Sequence, residues 1–214
     1  MSGHNDPQPG DGWDARFAGD EYLFGRAPNA FLARQASYLV AGQTALAVAD
    51  GEGRNGVWLA RQGLEVLSLD ASAAAQHKAQ RLAAEYDVTL RLVRADLAEW
   101  PFPEAAFDVV AAIFIQFADP ALRTRLFAGI VRALKPGGLL LLEGYRTEQF
   151  GYGTGGPRVA ENLYTEPMLR DAFAGLEILS LDSHDAEIAE GTGHHGMSAL
   201  IDLVARRPGA VGGA

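Results

Sequence analysis

The sequence of 214 residues contains no cysteine. Disulfide frameworks, thiolate zinc sites, iron–sulfur clusters and cysteine nucleophiles are therefore excluded together. Lysine occurs only as Lys78 and Lys135. No Gly-Lys-Ser or Gly-Lys-Thr follows a glycine loop, so there is no P-loop, and none of the six tyrosines stands in the Tyr-x-x-x-Lys pair typical of short-chain reductases. Basic charge is short overall, with 18 Lys plus Arg against 27 Asp plus Glu and a formal net charge of -9. That balance opposes a broad polyphosphate-binding face, and nucleic acid is not an expected partner. No stretch reaches the roughly 18 to 20 apolar residues of a membrane span. The opening MSGHNDPQPGDG has neither the basic nor the apolar part of a signal peptide, so a cytoplasmic location without membrane partners is expected.

What is present is a core. Hydrophobic residues make up 48% of the chain, and at about 150 residues per domain the length suits a single unit. Residues 1–12 and 208–214, rich in Pro, Gly and Asp or in Gly and Ala, read as disordered tails around a domain at 13–207. From Thr44 onward, apolar runs of strand length at 44–49, 65–69, 89–93, 108–114 and 139–143 alternate with helical patterns at 55–62, 73–85 and 121–134. This alternation predicts five β–α units, a parallel sheet covered by helices on both faces. A short helix at 166–173 and two further strands at 176–182 and 197–206 follow. The Gly- and His-rich segment EGTGHHG at 190–196 separates these last strands as a loop, with no crossover helix, so they are expected to be antiparallel.

The central motif is DGEGRNG at 50–56, directly after the first strand and before the first helix. Gly51, Gly53 and Gly56 satisfy G-x-G-x-x-G, a pattern shared by nucleotide sites and plain turns. Asp70 stands at the carboxyl end of the second strand, where an acid accepts ribose hydroxyls. Asp96, after the third strand, adds a second carboxylate at the same edge. Together they suggest an adenosine-type ligand.

With these features the chain resembles the class I S-adenosylmethionine-dependent methyltransferases. The resemblance rests on the glycine loop, Asp70, Asp96-Leu97, FDVVAAIF at 107–114, LKPGG at 134–138 and the terminal strand pair. More narrowly it resembles the small bacterial subgroup of tellurite-resistance and thiopurine-type methyltransferases, through WDARFAGDEYLFGRAPNAFL at 13–32, EGYRTEQFGYGTGGP at 143–157 and EGTGHHG. It implies a Rossmann-like, seven-stranded, mostly parallel sheet with an antiparallel C-terminal strand. It also implies S-adenosyl-L-methionine as cofactor, and methyl transfer to a small-molecule acceptor, a thiol or another soft nucleophile. In place of the acid often found within the first strand of this family stands Ala47, and Asp50 is the substitute partner for the cofactor's ammonium group.

By the same resemblance, Gly51, Gly53 and Asn55 would line the methionine side, Asp70 and Ala71 the ribose, Asp96 and Leu97 the adenine, and Ile113 and Phe114 the sulfonium. Residues 13–43 would form a lid, bringing Trp13 and Arg16 to the cofactor and Tyr22 and Phe24 to the reaction. If the sixth strand runs parallel to the first five, His194 and His195 approach the acceptor, and a histidine there serves as base near neutral pH. The candidate catalytic residues are His195 and Tyr22. Acceptor contacts fall to Phe24, Gln116, Tyr145, Arg146, Gln149 and His194. Phe117 reads as core. No metal is assigned, because His4, His77 and His184 lack ligand spacing. The rival reading is a non-catalytic cofactor-binding or partner-binding module, and the literal glycine pattern keeps a dinucleotide oxidoreductase as a third.

Overall fold

The computed structural model describes residues 11–209. Seven strands form one sheet: β1 (Thr44–Val48), β2 (Glu65–Asp70), β3 (Leu90–Arg94), β4 (Phe107–Ile113), β5 (Leu134–Tyr145), β6 (Glu177–Glu190) and β7 (His194–Arg206). Their order is β3-β2-β1-β4-β5-β7-β6. The pairs from β3 to β5 are parallel, and β7 runs antiparallel to both of its neighbours. The helices are α1 (Asp11–Phe17), α2 (Ala30–Arg34), α3 (Arg54–Arg61), α4 (Ala73–Glu85), α5 (Pro120–Ala133), α6 (Gln149–Tyr152) and α7 (Glu166–Ala172). Among the described residues no helix is long and apolar enough to cross a membrane.

Alternation along β1 shows how the sheet is covered. Leu46 and Val48 join one buried cluster with Phe127 and Ile130 of α5 and Phe173 after α7. Ala45 and Ala47 join the other, with Phe31 and Leu32 of α2 and Leu59 of α3. Successive side chains of a strand face opposite sides, so this division is what a sheet between two helical layers requires. The chain enters at β1, builds outward to β3, then returns to β4 on the other side of β1. That reversal opens a crevice at the carboxyl ends of β1 and β4.

Three expectations need correction. No helix lies between β3 and β4, so there are fewer than five β–α units. Residues 95–106 instead bring Trp100 and Phe102 against the core with ring centroids 4.7 Å apart. Pro101 and Pro103 remove the backbone donors a helix there would need. Second, EGTGHHG is not a loop between short strands but the tip of a long hairpin, since pairing of β6 with β7 continues to Glu190↔His194. The strand expected at 176–182 is the first half of β6; its continuation to Glu190 was hidden because it is an edge segment whose polar residues read as coil. Third, α1 begins at Asp11, within the expected tail at 1–12. Residues 1–10 of that tail and 210–214 of the C-terminal one lie outside the described residues.

Candidate active site

A cavity of about 250 Å³ follows the crevice across five strand ends. Asp96 and Leu97 line it after β3, Asp70 and Ala71 at the end of β2, and Ala49, Asp50 and Gly51 after β1. Ile113, Phe114 and Phe117 line it at β4 and His194 at the start of β7, while Arg54 and Asn55 contribute from α3 and Trp13, Phe17 and Phe24 from the N-terminal segment. Two of these residues hold left-handed backbone without being glycine, Ala49 at φ 48° and Phe114 at φ 53°. Such conformations cost of order 1–3 kcal/mol and concentrate at functional sites. At Phe114 the turn brings the ring 4.7 Å from that of Tyr145 and 4.4 Å from that of His194.

The glycine loop is shaped by its acids. Asp70 accepts from the Gly51 amide and the Ser72 amide, each at 2.8 Å. Asp50 accepts from the Gly56 amide at 3.0 Å and the Ser68 hydroxyl at 2.7 Å. Burial pushes Asp50 up to about 7 and raises Asp70 as well, against the hydrogen bonds each accepts. Two glycines are sterically required. Gly53 caps α3 at φ +84°, and a Cβ there would stand 2.5 Å from the Ala79 Cβ of α4; one on Gly56 would stand 2.3 Å from Asp50 Oδ2. Gly53 thus serves helix packing rather than lining the cavity.

At the β7 end lies a polar group that sequence reading missed. Arg54 Nη2 donates to Glu190 Oε2 at 2.6 Å, with both side chains buried. His194 Nδ1 is 3.8 Å from the same carboxylate. Burial alone would raise Glu190, but His194 and Arg54 hold it at about 2. Burial lowers His194, partly offset by Glu190, so its imidazole is neutral near pH 7. Asn29 ties this group together, donating from its side chain to Glu143 Oε1 at 2.9 Å and Glu190 Oε1 at 3.1 Å and from its backbone to Asn55 Oδ1 at 2.9 Å. Burial and the facing Asp202 push Glu143 up. Arg54 Nη1 and His194 Nδ1 are buried without a hydrogen-bond partner.

Several expected site residues lie elsewhere. His195 is exposed, because strand alternation turns it to the face opposite His194. Tyr22 donates to the Lys78 carbonyl at 3.1 Å and packs on α4 outside the cavity. Gln116 is consumed as a clamp, donating to the carbonyls of Tyr145 and Asn162 and accepting from the Tyr145 amide at 2.6 Å. Arg146 pairs with Asp185 and donates to the His184 carbonyl. Gln149 accepts from the Ala199 amide at 2.8 Å. Tyr145 is buried behind Phe114, and Arg16 stacks over Trp13 with its guanidinium 4.3 Å from the ring centroid. Conversely Phe117, read as core, is exposed and lines the cavity. Phe17 and Ala49 carried no signal beyond apolarity.

Residues 45–138, from β1 into β5, match the family model described as a methyltransferase domain. The chain carries a methyltransferase domain. The matched span of this domain holds every strand end along the cavity except that of β7. Among curated proteins none matches the sequence. Solved structures extend the likeness over nearly the whole chain and show its fold. One, solved in work on the conversion of a disulfide bond into a thioacetal group during echinomycin biosynthesis, superposes with TM-score 0.76 at 20% identity over 94% of this chain and 93% of its own. TehB from Haemophilus influenzae gives 0.70 at 13% over 93% and 66%. The N-methyltransferase NodS from Bradyrhizobium japonicum, in complex with S-adenosyl-L-homocysteine, gives 0.71 at 14% over 94% and 100%.

Proposed function

We propose that the domain transfers a methyl group from S-adenosyl-L-methionine to a small acceptor bound at the His194 end of the cavity. The observation that carries this reading is the order of chemistry along the crevice. Leu97 and Ile113 offer an apolar slot for a purine, Asp70 a carboxylate for the ribose diol, and Asp50, Arg54 and Asn55 polar partners for the amino-acid end. Ala47 cannot hold the ammonium group; it lies in the cluster of Phe31, Leu32 and Leu59, where a carboxylate would be costly. Asp50 takes that part.

When bound, this cofactor would supply a methyl carbon activated by its sulfonium toward an acceptor's lone pair. The domain's own residues align and dry the site. Orientation of this kind supplies about 7–11 kcal/mol of a barrier. Trp13, Phe17 and Phe24 cover the cavity as part of the lid at 13–43, excluding water. A protonated acceptor gives its proton to His194 Nε2, since Nδ1 is buried toward Glu190. The wall of Phe24, Phe114 and Phe117 suits a soft, polarizable nucleophile such as a thiol. Incubation with methyl-labelled cofactor and matched thiol, oxygen and nitrogen acceptors tests this, with label expected in a thiol; turnover of only oxygen or nitrogen acceptors overturns the soft-nucleophile assignment.

Ala47 favours a second reading, a cofactor-binding module that does not transfer. Tight cofactor binding with no labelled product across a broad acceptor screen would establish it.

A further inference from the structure

A second cavity, of about 510 Å³, lies beyond the partition made by Phe24 and Tyr145. It is bounded by Arg16 of α1, by Gln149, by the GTGGP loop at 153–157 with Arg158, and by Gly193 at the hairpin tip. The Phe24 ring packs against Gly193, where a Cβ would stand 2.4 Å from Phe24 Cε1. Among the described residues the only charges on the lining are the two arginines, although the chain carries a net charge of -9. Among the described residues neither arginine forms an ion pair, in contrast to Arg54 and Arg146. Gly155 and Gly156 have φ of +144° and +85°, and their amides donate to no backbone carbonyl among the described residues. Successive backbone amides without a carbonyl partner are free to donate to an anion. At the back of the loop the Tyr145 hydroxyl is buried without a hydrogen-bond partner, 3.5 Å from the position a Gly155 Cβ would take.

We propose that this second cavity binds the oxyanion of a small acid, a carboxylate or phosphate, between Arg16 and Arg158. Arginine and backbone amides supply the geometry such a group requires. Arg16 also stacks over Trp13 and lies 6.0 Å from the Phe24 centroid, and both of those rings line the main cavity. An anion held by Arg16 and the GTGGP loop therefore ties α1 down over the main cavity. By linkage, anion binding and occupancy of the main cavity strengthen each other.

Calorimetry on the full chain at constant ionic strength, with benzoate and inorganic phosphate as probes and benzamide as neutral control, tests the site. At least one anion is expected to saturate while benzamide does not, and Arg158→Gln and Arg16→Gln are each expected to weaken that binding by about ten-fold or more. Saturating anion should also tighten S-adenosylhomocysteine binding in the wild type and not in Arg158→Gln, whose affinity without anion stays at the wild-type value because Arg158 is outside the main cavity. Failure of both anions to saturate, binding of benzamide equal to benzoate, or indifference of anion binding to Arg158→Gln overturns the proposal. If S-adenosylhomocysteine does not bind at all, the methyl-transfer reading falls, while the anion titrations still decide the second cavity.

Discussion

Arg54 and Glu190 are 136 positions apart in the sequence and 2.6 Å apart in the structure. Both side chains are buried, at 7% and 10% exposure, so removing one charge leaves the other without compensation. Glu190→Gln is expected to destabilise the fold by about 3–5 kcal/mol, read as a lowered urea midpoint with an unchanged slope. Because Glu190 is held at about 2, its contribution is full above the ordinary glutamate value of 4.5 and is lost as pH falls from there toward 2. Asp50 has the opposite sign, since its buried carboxyl titrates at about 7. If it meets a cationic cofactor group, binding near pH 6 must release a proton, seen as a buffer-dependent calorimetric enthalpy; no buffer dependence would show that Asp50 does not ionise on binding. Neutral His194 is the reactive form, so an acid limb in kcat/KM is expected below the ordinary value of 6.5, with Glu190, Arg54 and Arg16 setting its position. His194→Gln should lower kcat by about 10²–10⁴ when the acceptor must lose a proton, while His195→Gln leaves it unchanged. The two histidines were indistinguishable in the sequence because the register of a hairpin decides which of two neighbours faces inward. Asp70 and Asp96 were legible because they stand at, or two residues beyond, the carboxyl ends of neighbouring parallel strands, but nothing local marks Arg54 or Glu190.

At the scale of elements, strands buried on both faces announce themselves as continuous apolar runs. β1, β2 and β4 were therefore placed within a residue or two of their observed bounds. The long hairpin was only half legible. β7 contacts β5 and is buried through Ser198–Ala205, apolar there except for Ser198 and Asp202, whereas β6 pairs with β7 alone and is exposed or half-buried at every position but Ile188. The glycine loop was visible as a motif, but the separate duties of its glycines were not. Gly53→Ala introduces both a strained φ and a 2.5 Å approach to Ala79 Cβ. It is expected to cost about 1–3 kcal/mol in thermal or urea denaturation, of which Ala79→Gly in the same chain recovers only the part due to contact. Equal stability of Gly53→Ala and wild type would mean that α4 does not press on the loop.

For the whole molecule, topology does more than any single motif. Reversal of strand order between β1 and β4 opens the crevice, and the antiparallel return of β7 carries His194 back to its far end. The N-terminal segment closes the near side, where Asp14 of α1 accepts from the Ala74 amide at the start of α4 at 3.1 Å. The central claim is that this crevice is a cofactor site with Asp70 at the ribose. Calorimetric titration with S-adenosylhomocysteine tests it most directly. Saturable binding at one site per chain, weakened about ten-fold or more in Asp70→Ala by loss of a charged hydrogen-bond partner, is the predicted result. Absence of binding to the wild-type chain, or equal affinity in Asp70→Ala, would contradict the account.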